Sequence, residues 1–445
     1  MEWLVFIDDV SERMVVMAMD SWLNGIYLGT DLVLKYPDYV ERLRDEIGLN
    51  TVVLSFSGAL SDEVLAKSPY GGRVPTEEEL GQVVIRHFDG RSVDPLEYER
   101  AQGEVGPGVS ARGDDVSFRR AVAQLKDAGL KVWVCGGGWT IRRLMYCPSQ
   151  VDTQNWLRSV YVYLATQYDV DALDITHLRY PMASFPLGLF GCTCASCAVA
   201  AKNLGYDMEK MVADLKSARE GLRKLDGARL GDVVRLGFGF FDVIQALGLR
   251  SGVLDWVRFR CDLVAQNLSS FRSAVHEAAP GKAFGTDTYP ASMSLTAGQD
   301  HLRWGEMADF ASPLVSHISA FMCNTFIEWA RFLMTEISNL KEEDALQLVY
   351  RFAGYDGMGL PETIAAYRAE DAATLADRIP TADLVLRDLV KAKLYLPDDM
   401  PSYPIIHGEG WARETVDHIV DEARRLGHNG IIWQGSSELM DYDFG

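Results

Sequence analysis

The sequence is short of positive charge. Lys and Arg total 43 against 63 Asp and Glu, so the formal net charge is -20. A surface so acidic repels phosphate backbones and anionic lipid, which argues against nucleic-acid and membrane-surface partners. It favours a neutral or cationic ligand. Long apolar runs are also missing: none approaches the roughly 18 residues that a membrane span needs. The start, Met1-Glu2-Trp3-Leu4-Val5-Phe6-Ile7, lacks the basic opening and small-residue cleavage site of a secretory leader. Cysteine is sparse and odd in number, seven in all, which does not fit a secreted disulfide framework. A reducing cytoplasm is the expected compartment. No GxGxxG follows a strand and no GxxxxGK[ST] occurs, so nucleotide cofactors have no positive signal. HExxH is absent too, and no HxH follows the first expected strand, so the usual metal-dependent barrel hydrolase is poorly supported.

What remains is an ordinary globular composition, 48% hydrophobic and 24% charged over 445 residues. It is ample for a large core. The pattern alternates short apolar runs with periods of four. Met14–Met19 reads as a first strand, and Tyr39, Leu43 and Ile47 as a helix stopped by Gly48. Further strands are expected at Thr51–Ser57, Lys131–Cys135, Val170–Ile175, Lys282–Asp287, Asp309–Ser316, Tyr403–His407 and Gly430–Trp433. Helical spacing falls between them, and hairpin signals do not, which calls for a parallel sheet. Eight strands alternating with helices predict an α/β fold, a (β/α)8 TIM barrel. The whole chain, 1–445, is read as one such domain. Two long excursions, about 60–113 and 341–400, interrupt it. Val233–Phe241 could be a further strand and is placed in the connection between strands four and five.

In such barrels the chemistry sits at the C-terminal ends of the strands. Asp174, His177 and Arg179 crowd the end of strand four. They are either a site or an Asp174–Arg179 ion pair fixing the loop. Asp287 ends strand five, as a site carboxyl or as a turn cap before Pro290. Gly136-Gly137-Gly138-Trp139 lets the backbone come close to something and offers a flat ring, or is a tight turn with a packed Trp. Cys192, Cys194 and Cys197 form a partial metal knuckle that Cys147 could complete. They are otherwise reduced, buried thiols.

Several of these segments resemble uncharacterised glycoside-hydrolase-like (β/α)8 barrels. Asp171-Ala172-Leu173-Asp174 running into Arg179-Tyr180-Pro181 is one, and the CxCxxC segment Cys192–Cys197 leading into a helix is another. Phe284-Gly285-Thr286-Asp287-Thr288-Tyr289-Pro290, Gly298-Gln299-Asp300 and the final Gly430–Trp433 are similar to that family as well. Strand six ends Leu314-Val315-Ser316-His317 where the family carries tyrosine. The resemblance implies a glycosidase. Cleaving a glycosidic bond generally takes two carboxyl groups, one giving a proton to the leaving oxygen and the other attacking or activating water.

Asp174 and Asp287 are the expected pair. Asp174 is the nucleophile or charge stabiliser, kept ionised by Arg179 or His177. Asp287 is the proton donor, desolvated by Phe284, Tyr289 and Pro290. Glu409 between two glycines is the rival acid or simply part of a flexible loop, and Asp20 is a sugar-hydroxyl acceptor. Trp22, Trp139, Tyr289, Trp411 and Trp433 could stack on sugar faces, with His177, Arg179, His317 and His407 as polar contacts. His87 could join the histidines. No cofactor is required, a structural zinc at the cysteines is left open, and so is a homo-oligomer. Two other readings stand beside the hydrolase: a sugar-binding barrel without catalysis, and a metal-assisted hydrolase using strand-end His and Asp.

Overall fold

The structure is a computed structural model that describes residues 22–56, 62–73, 115–141, 144–180, 187–367, 374–375, 378–407, 411–435 and 439–440. Eight parallel strands form its centre: β1 Leu23–Leu28, β2 Thr51–Ser55, β3 Lys131–Cys135, β4 Ala172–Ile175, β5 Ala283–Thr288, β6 Phe310–Pro313, β7 Ile405–Ile406 and β8 Gly430–Trp433. Their spatial order is β6-β5-β4-β3-β2-β1-β8-β7. The ring closes where Ala311 bridges Ser402. There the Ala311 N–H donates to the Pro401 carbonyl at 2.9 Å, and the Tyr403 N–H donates to the Ala311 carbonyl at 2.9 Å. Helices alternate with the strands outside, so the fold is a (β/α)8 barrel.

The alternation of side chains explains the two cores. One residue in two points inward. Leu23, Val53, Trp133, Ala172, Phe310, Ile405 and Ile432 fill the barrel interior. Their strand neighbours Ile26, Val52, Val132, Leu173, Ala311, Ile406 and Ile431 face the helices. Trp133 lies 4.5 Å from Phe310 and 5.3 Å from Tyr403, ring centre to ring centre. Gly285 makes room for this stack, because a Cβ there would sit 2.2 Å from the Phe310 ring.

Several expectations change. The first barrel strand is Leu23–Leu28, between β2 and β8; Met14–Met19 lies outside the described residues. Val233–Phe241 is no strand. It falls on helices Gly227–Leu236 and Phe240–Leu247, within the β4–β5 connection. The helix expected through Tyr39, Leu43 and Ile47 is found as Pro37–Ile47, ending on Gly48 with φ 72°; a further helix, Ser251–Ala278, runs 28 residues in the β4–β5 connection. Of the first excursion only its opening, to residue 73, is described. The second holds helices Glu342–Ala353 and Thr381–Tyr395. No helix among the described residues is long and apolar enough to cross a membrane.

Candidate active site at the C-terminal end of the barrel

Register brings the two carboxyls together. Asp174 on β4 pairs with Gly285 on β5. Asp287 stands two residues further on and so shares that face. Its own partner on β6 is Ser312. All three side chains point inward near the C-terminal ends of their strands, above the aromatic stack.

The two environments differ. Asp174 is 1% exposed. Tyr27, reaching across from β1, donates its hydroxyl to Oδ2 at 2.5 Å, and Ser312 Oγ donates to Oδ1 at 3.2 Å. No cation touches it among these bonds. Burial, then the nearby Asp287 charge, raises its pKa from 3.8 to about 7. Asp287, 4% exposed, is held by Arg179, whose Nη1 sits 2.8 Å from both carboxylate oxygens. Thr176 Oγ1 donates to it at 2.8 Å and the His177 N–H at 3.2 Å. The expected Asp174–Arg179 pairing is therefore not formed; the arginine belongs to Asp287. Nor does Phe284 desolvate Asp287, since it lies in the outer core.

The Arg179 guanidinium lies over Tyr289 and Phe321, 5.6 and 5.4 Å from the ring centres. Buried Gln299 ties down the strand end, its Nε2 donating to the Asp287 carbonyl at 3.1 Å and its Oε1 accepting from the Tyr289 N–H at 2.6 Å. Tyr289 is thus a platform for the arginine and too buried to stack on a sugar.

The glycine run after β3 has a clear purpose. A Cβ on Gly138 would fall 2.6 Å from the Thr176 carbonyl oxygen. Gly137 bridges Thr176, and the Thr176 N–H donates to Gly136 at 2.9 Å. The close approach is to the β4 backbone itself. That contact holds His177 in the left-handed region, φ 64°, an uncommon conformation for a residue with a Cβ. The His177 ring keeps access to solvent while protein surrounds it. That crowding, then the Arg179 charge, lowers its pKa to about 4.

His317 follows β6. Its ring centre is 5.7 Å from His407 and 5.3 Å from Phe321. Nε2 meets Gln434 Oε1 at 2.6 Å, which makes Nε2 the donor and leaves Nδ1 as an acceptor with no partner among the described residues. Burial, then His407, lowers the His317 pKa to about 4 and keeps the ring neutral.

The expected ring of stacking aromatics does not assemble. Trp22 precedes β1 at the opposite end, under the Arg424 guanidinium. Trp139 is fully buried. Trp433 faces the helices and donates to Asn24 Oδ1 at 2.8 Å. Trp411 follows β7, half-buried against the outer core. Asp20, His87 and Glu409 lie outside the described residues. Tyr27, Thr176, Ser312, Gln299 and Gln434 were not expected as site residues. The local signals available were Gly298-Gln299-Asp300 and Ser312-Pro313 at a strand end.

A separate cluster forms beside the barrel. Cys147 follows a short ribbon, Thr140–Ile141 with Leu144–Met145. Cys192 and Cys194 precede helix Ala195–Asn203, and Cys197 lies in its first turn. The four sulfurs all lie within 4.8 Å of one another. Cys147 is 3.2 Å from Cys197 and 3.7 Å from Cys194. Hydrogen bonds from the other thiols pull Cys194 towards thiolate and push Cys147 up. Among the described residues this is the one group of His, Cys, Asp or Glu side chains close enough to share an ion. His177, His317 and His407 form no such set.

No protein-family model matches the sequence, and none of the curated proteins matches it. Solved structures do. A β-galactosidase from the Antarctic haloarchaeon Halorubrum lacusprofundi is 12% identical, with a TM-score of 0.46, over 92% of this chain and 52% of that one. The β-galactosidase of psychrophilic Marinomonas ef1 is 11% identical, with a TM-score of 0.44, over 92% and 53%. A β-glucosidase is 8% identical, with a TM-score of 0.36, over 91% and 78%. These neighbours are glycoside hydrolases. The chain spans about half the length of the β-galactosidases it matches. The likeness carries neither a substrate nor a residue role to this chain.

Proposed function

We propose that the chain is a glycoside hydrolase acting on a carbohydrate through Asp174 and Asp287. The observation that supports this reading is the contrast between them: two carboxyls on one inward face, one biased towards its neutral form and the other paired with a cation. Glycosidases need that division of labour. The roles are the reverse of those expected from sequence. Asp174, with a pKa of about 7, is the proton donor. Asp287, bridged by Arg179, is the carboxylate that attacks or stabilises the developing positive charge. His177 and Gln434, both exposed, would serve as contacts for sugar hydroxyls. Glu409 remains the reserve acid.

One observation favours a second reading, a sugar-binding barrel without turnover. Asp287 already takes bonds from three donors, and both carboxyls are almost wholly covered. A panel of aryl and alkyl glycosides with the wild-type chain, Asp174→Asn and Asp287→Asn separates the two. Turnover by the wild-type chain that both variants lose supports the hydrolase. Sugar bound but not cleaved supports the second reading. Cleavage retained in both variants removes the carboxyl assignment.

We propose in addition that Cys147, Cys192, Cys194 and Cys197 hold a structural zinc. Four buried sulfurs at these separations suit a closed tetrahedral site with Zn–S near ~2.3 Å. The ion would pin the β3 loop to the β4–β5 connection. It takes no part in the chemistry proposed for the carboxyls.

A further inference from the structure

Asp174 is 1% exposed, so a proton must reach or leave it through a side chain that touches it. Two of the described side chains bond to its carboxyl. Ser312 is itself 0% exposed and leads nowhere. Tyr27 keeps part of its surface open, crosses the barrel from β1, and places its hydroxyl 2.5 Å from Oδ2. We propose that Tyr27 is the proton relay between Asp174 and the mouth of the barrel. The idea rests on the proton-donor role given to Asp174 above.

The relay works by reversing one hydrogen bond. While Asp174 is a carboxylate, the phenol donates to Oδ2. Once Asp174 is protonated, its O–H donates to Tyr27 Oη, and the phenol hydrogen turns towards the mouth. In turnover the leaving glycosidic oxygen takes that hydrogen as the Asp174 proton moves onto Oη. The C–O bond breaks, and its electron pair stays on the leaving oxygen. Asp174 ends as carboxylate and Tyr27 stays neutral throughout. Water that adds to the anomeric carbon releases a proton, which returns by the same path.

A phenol suits this task because it does not ionise on its own. Burial, then the Asp174 charge, pushes the Tyr27 pKa well above its ordinary value. The other groups facing the pair are Cys135 from β3, Asp287 from β5 and Ser312 from β6. Burial keeps the Cys135 thiol neutral, and Arg179 balances Asp287. The titration at this place is therefore that of Asp174.

Two measurements test the relay. In Tyr27→Phe, the loss of kcat should grow as the leaving group becomes more basic, reaching ~100-fold for alkyl glycosides, the size of a lost general acid. A loss independent of the leaving group overturns the relay and leaves the glycosidase reading intact. The second measurement needs no turnover. Infrared titration follows the Tyr27 C–O band, isolated as wild type minus Tyr27→Phe. It also follows the Asp174 C=O band, isolated as wild type minus Asp174→Asn. The two should move at one midpoint, as the phenol changes from donor to acceptor. A Tyr27 band that stays still while Asp174 titrates refutes the relay. Co-titration in a chain that cleaves no glycoside sinks the hydrolase reading and keeps the proton link.

Discussion

Asp174→Asn should change how stability depends on pH. The substitution is nearly isosteric, and an Asn side-chain carbonyl can still accept from Tyr27. Asp174 ionises at about 7 in the folded chain against an ordinary 3.8. The folded state therefore holds this proton more tightly than the unfolded state. The stability it contributes is fully present below about pH 4 and is lost as pH rises through about 7. Far above pH 7 the full penalty is about 4 kcal/mol. Between pH 5 and pH 8 about 2–3 kcal/mol of it develops. Unfolding entropy of ~2.1 cal/mol/K per residue over this chain comes to ~0.9 kcal/mol/K, so the penalty is worth ~3 °C in Tm. Calorimetry on both proteins at pH 5 and pH 8 reads it directly. Groups remote from Asp174 titrate alike in the two, so their effects cancel. The wild-type chain should lose ~3 °C more than Asp174→Asn across that interval. If the two melting temperatures move in parallel, Asp174 is not the neutral-biased carboxyl argued here, and its proton-donor role falls too.

Three further outcomes are expected. Arg179→Met leaves the buried Asp287 carboxylate without its cation and should cost about 3–5 kcal/mol in denaturant unfolding; adding Asp287→Asn should recover most of that, and equal costs would refute the pairing. Gly285→Ala drives a methyl into the Phe310 ring, which Trp133 and Tyr403 hold on either side, so overpacking should cost about 1–3 kcal/mol or more. Combining it with Phe310→Leu should relieve part of the loss, a coupling absent if the glycine serves another purpose. Purified wild-type chain should carry zinc by elemental analysis, and Cys197→Ser should lose it together with thermal stability; a fully reduced, metal-free wild type with unchanged melting ends the zinc proposal.

Periodicity and punctuation alone made the barrel legible. Short apolar runs between amphipathic helices have no other economical burial than a parallel sheet wrapped in helices. Seven of the eight strands follow from that pattern. The eighth failed because Leu23–Leu28 contains Asn24 and Gly25, which break the apolar run. Asn24 is tolerated only because distant groups satisfy it: it donates to the Ile47 carbonyl at 3.0 Å and accepts from Trp433 Nε1. No local signal carries that information, and Tyr27 was lost along with the strand.

The residue types at the strand ends, Asp174, His177, Arg179 and Asp287, were likewise visible in the linear sequence. Which carboxyl receives the arginine was not. Arg179 lies five residues from Asp174 and 108 from Asp287, yet register and the turn at His177 aim it at the distant one. The same holds for the aromatics. Trp139 and Trp433 look alike as text, but Trp433 faces outward by strand parity and Trp139 is buried in the bend that follows β3. Composition and spacing therefore determined the architecture and the chemical vocabulary of its open end. Pairing, burial and protonation were decided only by tertiary structure, because each depends on neighbours that the chain brings together from afar.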